Sequence, residues 1–355
     1  MSKPNVLVIG AGGVGVIAAL ALQLNGNSNV TLVVRSEHEL IKNQGYSIES
    51  KCYGEYENFK PDNIAKSVDE AMDNYGPFDF IALTTKNIPD GSMTCEDIVR
   101  PAVTDGKTTI ILIQNGIGID EPMIESFPNN VILSGVSLIG STNLGNGRVY
   151  NSHFDTLTIG YFNNPNISNS VSMSKVNEFI SLYQNKDLSK NLAKLDENVK
   201  HTRWQKLIYN SALNTVTTIV DLDVNRCQIN NSNKSLFEPA MSEIIKIAKS
   251  EGVTLDESVK SKFMHIGDGL FYTPSMLIDR RKKQLFELEV ILGNPIKYAD
   301  RNGVDAPTLK ILYSLLTMIQ FKIKEEIGLV KINESDFKNI DSNDYPSHFA
   351  KISHK

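Results

Sequence analysis

The sequence predicts an α/β chain in two parts, an N-terminal doubly wound parallel sheet over residues 1–198 and an all-helical second domain over 199–355. Three observations predict it. Short apolar strands alternate with helices in the first half, and strands so apolar need cover on both faces, as a parallel sheet between helices provides. A glycine-rich turn, Gly10-Ala11-Gly12-Gly13-Val14-Gly15, joins the first strand to the first helix. From Val199 onward almost every segment carries apolar residues at helical spacing.

Taken in order, Asn5 to Ile9 (NVLVI) is a compact strand and Val14 to Leu24 an Ala/Leu-rich helix. Asn29 to Arg35 (NVTLVVR) is the second strand, with a short helix at His38 to Gln44. Tyr46 to Lys60 is less regular and suggests a polar hairpin insertion. Ala65 to Asn74 is helical, while Asp79 to Thr84 and Thr108 to Ile113 are buried strands. Pro122 to Phe127 is helical and Asn130 to Ile139 a strand. The Gly145-Asn146-Gly147 turn opens an alternating segment, Arg148 to Ile159, that predicts antiparallel edge strands. A helical pattern covers Val176 to Asn185, and helices follow over 199–220, 235–252, 256–268, 275–302 and 307–327. The last twenty residues, rich in Asn, Asp, Ser and Lys, predict a surface tail.

Net charge is −5 and pI about 5.8, which argues against a bulk nucleic-acid or anionic-membrane binder. The three cysteines, Cys52, Cys95 and Cys227, form neither a disulfide framework nor a zinc spacing, so no metal is expected and a reducing compartment is the default. No signal-peptide pattern opens the chain and no apolar run is long enough to span a bilayer. A cytoplasmic location is the expectation, and a homodimer is one assembly the chain allows.

The glycine-rich turn fits GxGxxG in its strand–helix setting. Gly10 permits a tight turn, Gly12 lets backbone approach a pyrophosphate and Gly15 lets helix and strand pack closely. The helix start then offers unpaired N–H groups to phosphate. The expectation is a Rossmann-type nucleotide site. Where an NAD site places Asp or Glu, the second strand ends Val33-Val34-Arg35-Ser36. A guanidinium there suits a 2′-phosphate, so NADP(H) is favoured; the bland alternative is a solvated arginine. Two further strand ends carry Lys86 and Asn115. Lys86 can neutralise phosphate or steer an anion, and Asn115 can bond ribose or substrate; an exposed lysine and a turn asparagine are equally good readings.

Past the middle, WQKLIYNSALN at 204–214 places Lys206, Asn210 and Asn214 four residues apart on one helix face. A lysine whose pKa is lowered can protonate a carbonyl oxygen while amides hold the substrate. Trp204, Ile208, Ala212, Val216 and Val220 form the opposite stripe, so an ordinary amphipathic helix with its wet side outward explains the pattern as well. In the later segment Thr273 is an N-cap before Pro274, Ser275 a capping hydroxyl or a donor to a substrate carboxylate, and Glu287 an acceptor from a substrate hydroxyl. Asp279, Lys283 and Glu287 at i, i+4, i+8 equally suit a surface salt-bridge ladder.

In order and spacing, GAGGVG at 10–15, the strand ending at Arg35, TTK at 84–86, QNGIG at 114–118, WQKLIYNSALN at 204–214, and SMLID with ELEVILG within 275–293 resemble the ketopantoate reductase (2-dehydropantoate 2-reductase) family, whose helical second domain is like that of 6-phosphogluconate dehydrogenase. The resemblance implies that Lys206 gives its proton to the 2-keto oxygen while NADPH supplies hydride, and that Glu287 holds the substrate hydroxyl. It implies that Asn210, Asn214 and Ser275 position the substrate, that Arg35 and Lys86 meet the cofactor, and that Asn115 lies beside both. A further substrate-side asparagine is expected about ten residues after Asn214, where this chain has Val224 and then Asn225. Ketopantoate is the leading substrate; a broader carbonyl or keto-ester reductase and a non-catalytic NADP(H) sensor are the alternatives.

Overall fold

The computed structural model describes residues 2–353. Its first part is an eight-stranded sheet in the order β12-β11-β8-β7-β6-β1-β2-β5. The central strands are β1 (Asn5–Ile9), β2 (Asn29–Val33), β6 (Phe80–Leu83) and β7 (Thr109–Leu112), which are buried along nearly their whole length and pair in parallel. One edge is β5 (Asn63–Ala65); on the other side β8 (Ile132–Leu138) pairs antiparallel with β11 (Asp155–Tyr161), which β12 (Asn191–Leu195) joins in parallel. The helices between strands are α1 (Gly13–Asn25), α2 (His38–Gln44), α3 (Val68–Tyr75), α4 (Cys95–Val99), α5 (Glu121–Ser126) and α6 (Asn169–Tyr183).

The polar hairpin is present as β3 (Tyr46–Ser50) and β4 (Gly54–Phe59). It does not stand alone. With β9 (Ser141–Gly145) and β10 (Arg148–Asn151) it makes a second, four-stranded sheet. Two strands of the main sheet escaped the sequence pattern. Ala65, expected to open a helix, closes the three-residue β5 instead, too short to show alternation. β12 (NLAKL) offers only two buried positions, Asn191 and Ala193.

The second part is helical from α7 (Val199–Tyr209) onward, through α8 (Thr215–Val220), α9 (Val224–Ile229), α10 (Glu238–Ser250), α11 (Ser258–Met264), α12 (Ser275–Arg281), α13 (Asn294–Arg301) and α14 (Pro307–Glu326). Wide π turns at Asn210–Asn214, Asn233–Phe237 and Glu289–Gly293 precede α8, α10 and α13. The helix expected over 275–302 is therefore broken: α12 stops at Arg281, Lys283 takes φ +54°, and the chain runs without helix until Leu288. The expected tail lies on the surface, with most of its described residues exposed. It folds into short turns and α15 (Tyr345–Ser353), whose Phe349 packs on Phe321 at 5.6 Å between ring centroids; the last two residues of that tail lie outside the described ones.

One face of the main sheet packs on α1, α6 and the second sheet, burying Val6, Val8, Leu20 and Phe179. The core on the other face, including Leu7, Ile81 and Ile110, continues without a break into Trp204, Phe237, Phe286 and Leu309 of the helical part. The two parts thus share one apolar core, and the cleft lies along their seam.

Candidate active site

At one end of the cleft stands the β1–α1 turn. Gly10 takes φ +112°, where a side chain would be strained and a Cβ would press on Thr84 Oγ1 at 2.8 Å. A Cβ on Gly15 would overlap the Gly10 carbonyl oxygen, so helix and strand meet there at backbone distance. Gly12 caps α1 with no side-chain hydrogen bond, and nothing stands within 4 Å of where its side chain would be. Ala11, Gly13 and Val14 line the cleft with it. Arg35, two residues past β2, is exposed on the same wall, and no ion pair or hydrogen bond of its guanidinium is present among the described residues. The second sheet reaches over this turn: Asn143 Nδ2 donates to the Ala11 carbonyl (2.9 Å), and Lys282 Nζ to the Asn143 carbonyl (2.8 Å).

The middle of the cleft is built by α7 and the π turn after it. An amphipathic helix with one wet face does not describe them, because the polar stripe is buried too: Arg203 is 5% exposed, Asn210 4% and Asn214 2%. Arg203 donates to Ser134 Oγ and to the carbonyls of Leu112, Gln114, Gly116 and Gly135 at 2.5–3.4 Å. Lys206 Nζ donates to the Ser137 carbonyl at 2.6 Å and lines the cleft. Burial, seconded by the Arg203 charge, lowers its pKa to about 8. Asn214 Nδ2 donates to Asn210 Oδ1 at 3.2 Å. That leaves Asn210 Nδ2 and Asn214 Oδ1 buried without a partner, a donor and an acceptor whose desolvation is uncompensated.

Breaking the helix after Arg281 removes the salt-bridge ladder read from spacing. Lys283 pairs instead with Glu326 at 3.2 Å on the surface, while Asp279 and Glu287 turn inward. Asp279 Oδ2 lies 2.7 Å from Lys86 Nζ, and Glu287 Oε2 lies 4.0 Å from it. Glu287 also accepts from Asn115 Nδ2 at 3.0 Å and from the Asn87 backbone N–H at 3.3 Å. Burial works against the Lys86 charge, but Glu287 and Asp279 outweigh it and hold its pKa above the ordinary lysine value. Burial raises the Asp279 pKa, with Lys86 pulling the other way. Ser275 is the first residue of α12 rather than its cap, which is Pro274 and not Thr273, and it too lines the cleft.

A single cleft of about 1800 Å³ is lined by every predicted site residue except Gly15, which lies beneath it. Sequence reasoning missed Asp279 as the partner of Lys86 and Asn87 as a donor to Glu287. The signal for Asp279 was in the SMLID motif; Asn87 acts through its backbone and leaves none. Val224 lines the cleft, and the adjacent Asn225 does not.

Comparison with known proteins bears on all of this. The family models described as "Ketopantoate reductase PanE/ApbA" and "Ketopantoate reductase PanE/ApbA C terminal" match residues 6–164 and 198–320. An uncharacterised protein of Saccharomyces cerevisiae is 43% identical over 359 residues, 95% of this chain and 99% of its own length. The crystal structure of 2-dehydropantoate 2-reductase from Methylococcus capsulatus is similar with a TM-score of 0.75 at 28% identity, covering 90% of this chain and 97% of that one. A D-mandelate dehydrogenase solved with NADH and anilino(oxo)acetate shares the fold, with a TM-score of 0.76 at 22% identity over 90% of this chain and 99% of that one. With both halves matched in sequence and fold, this chain belongs to the ketopantoate reductase (PanE/ApbA) family.

Proposed function

We propose that the protein reduces a 2-keto acid with NADPH, 2-dehydropantoate being the compound that the names of its relatives put first. When bound, the reduced nicotinamide supplies a hydride, so that the 2-keto carbonyl gains hydride and proton to become a secondary alcohol and the dinucleotide is left oxidised. The observation that carries the proposal is Lys206: an amine with its pKa lowered to about 8, set in a cleft between the glycine-rich turn and Glu287.

The residues present fit the cofactor. The open face of Gly12 and the uncapped start of α1 suit a pyrophosphate, with Gly10, Ala11, Gly13, Val14 and Gly15 shaping the turn. Arg35, free of any acidic partner among the described residues, suits a 2′-phosphate. The D-mandelate dehydrogenase neighbour holds NADH; the choice of NADPH here rests on Arg35.

In this reading Lys206 gives its proton to the keto oxygen, a transfer made easier because its acidity lies near the working pH. Asn210 Nδ2 and Asn214 Oδ1 gain in the substrate the partners they lack. Ser275 donates to the carboxylate. Glu287 accepts from a hydroxyl, steadied by Asn115 and Asn87. Lys86, held by Asp279, balances the negative charge of the site and meets the cofactor. The nucleotide part is assigned to 1–198 and the helical part to 199–355, with Lys206 and Glu287 on the second. The test is NADPH oxidation by the purified protein with 2-dehydropantoate and a panel of 2-keto acids and keto esters, with the 2-hydroxy product identified. Turnover of no 2-keto acid would overturn the proposal.

A further inference from the structure

We infer that Gln320, on α14 and behind the cleft wall, is a positioning residue that aims the Glu287 carboxylate at a substrate hydroxyl; this rests on the 2-keto acid reading and deepens it. Gln320 is 2% exposed. It lies on the stripe of α14 whose other buried members are Leu309, Leu312, Leu316 and Ile323. A carboxamide in such company costs stability unless both its ends are bonded. Its Oε1 accepts the Phe286 N–H at 3.0 Å, and its Nε2 donates to Asp90 Oδ2 at 3.3 Å. An N–H on one side and a carboxylate on the other leave the amide one orientation.

These two bonds reach the two sides of a single contact. Phe286 precedes Glu287 in a stretch, 284–287, that is neither helix nor strand, so no regular ladder fixes the backbone from which the carboxylate projects. Asp90 belongs to the loop between β6 and α4. The same loop carries Asn87, whose N–H donates to Glu287 Oε1. Gln320 therefore grips the acceptor from the helical part and the loop of its donor from the nucleotide part. Lys324 Nζ, one turn further along α14, also holds Asp90 Oδ2, at 2.7 Å. A carboxylate aimed in advance loses less freedom when a hydroxyl reaches it. Without Gln320 the Phe286 N–H is stranded and the loop is held by Lys324 alone, so the carboxylate spreads over several directions.

The test is calorimetry of pantoate and of 2-hydroxy-3,3-dimethylbutanoate, which lacks only the 4-hydroxyl, on the NADP⁺-saturated protein. The parent should bind pantoate about 10- to 100-fold tighter, the range of a hydrogen bond to a charged acceptor. Gln320→Met, close in volume, should cut that ratio to about threefold or less while weakening the deoxy acid by no more than about twofold. Asp90→Ala, at a partly exposed position that spares the fold, should cut it about threefold. Asp90→Asn, which still accepts from Gln320, should restore it. In a Glu287→Gln background Gln320→Met should leave the ratio where it stands. A purely structural role would weaken both acids alike. A ratio unmoved in Gln320→Met and Asp90→Ala overturns the inference, as does a parent that binds both acids equally or neither. Should Gln320→Met fail to fold, Asp90→Ala decides alone. An unmoved ratio in a parent that reduces 2-dehydropantoate sinks only this inference. A ratio that responds in a protein reducing no 2-keto acid sustains it and sinks the reductase proposal instead.

Discussion

A lysine that gives away its proton during a reaction must hold it beforehand, and the surroundings of Lys206 set where that condition fails. Burial and the neighbouring Arg203 bring its pKa down to about 8, so the amine is protonated below that pH and neutral above it. The rate of reduction should therefore be level at lower pH and fall as pH rises through about 8; a profile flat to pH 10 would remove Lys206 from the acid's role. Lys206→Ala should lower kcat on the order of 10²–10⁴-fold with a smaller change in KM, checked by steady-state kinetics on a variant whose circular dichroism is unaltered. At the other end of the cleft, Arg35→Asp should weaken NADPH far more than NADH in a fluorescence titration. Equal losses would deny Arg35 the 2′-phosphate. Single residues were the most legible scale in the sequence, because the glycine turn, Lys206 and Glu287 belong to ordered motifs. Asn87 was invisible, since a backbone N–H has no residue type to betray it.

Elements were legible wherever burial imposed a period. The central strands and the helices from α1 to α3 follow from runs of Val, Ile, Leu and Ala that a sheet covered on both faces requires. Where the pattern erred, tertiary contacts overrode local spacing. Asp279, Lys283 and Glu287 have the register of a helix face, but two buried carboxylates gain more from Lys86 than from a solvated ladder, whose pairs contribute only about 0.3–0.5 kcal/mol each. The chain accordingly leaves the helix at Arg281, and Lys283 adopts φ +54°. The β1–α1 contact gives the sharpest element-scale prediction. Gly15→Ala places a methyl group onto the Gly10 carbonyl and should cost about 1–3 kcal/mol in urea unfolding, with a loss of nucleotide affinity. A variant as stable as the parent would mean that helix and strand are not in backbone contact.

At the scale of the whole molecule, the sequence divides more sharply than the structure does. Composition and periodicity change near residue 199, yet the core on one sheet face runs from Leu7 and Ile110 into Trp204 and Leu309. Arg203 reinforces the seam by binding carbonyls at the end of β7, of the segment after it and of β8. A guanidinium buried among carbonyls cannot be withdrawn without stranding them all. Continuity of this kind is a matter of which surfaces meet, and no local pattern records it. Scanning calorimetry should show one transition with matching calorimetric and van't Hoff enthalpies; two resolved transitions would show that the halves unfold separately.

The π turn at Asn210–Asn214 bears on how this chain can change over time. Such a turn is an α-helix holding one surplus residue. Losing that residue would restore regular winding and leave the helix beyond nearly in its present rotation, because the wide turn absorbs the surplus residue. The helix would survive such a deletion in good order, while the spacing between the Asn210 and Asn214 amides on the cleft wall changed. Selection on this stretch therefore acts on its length as well as its letters.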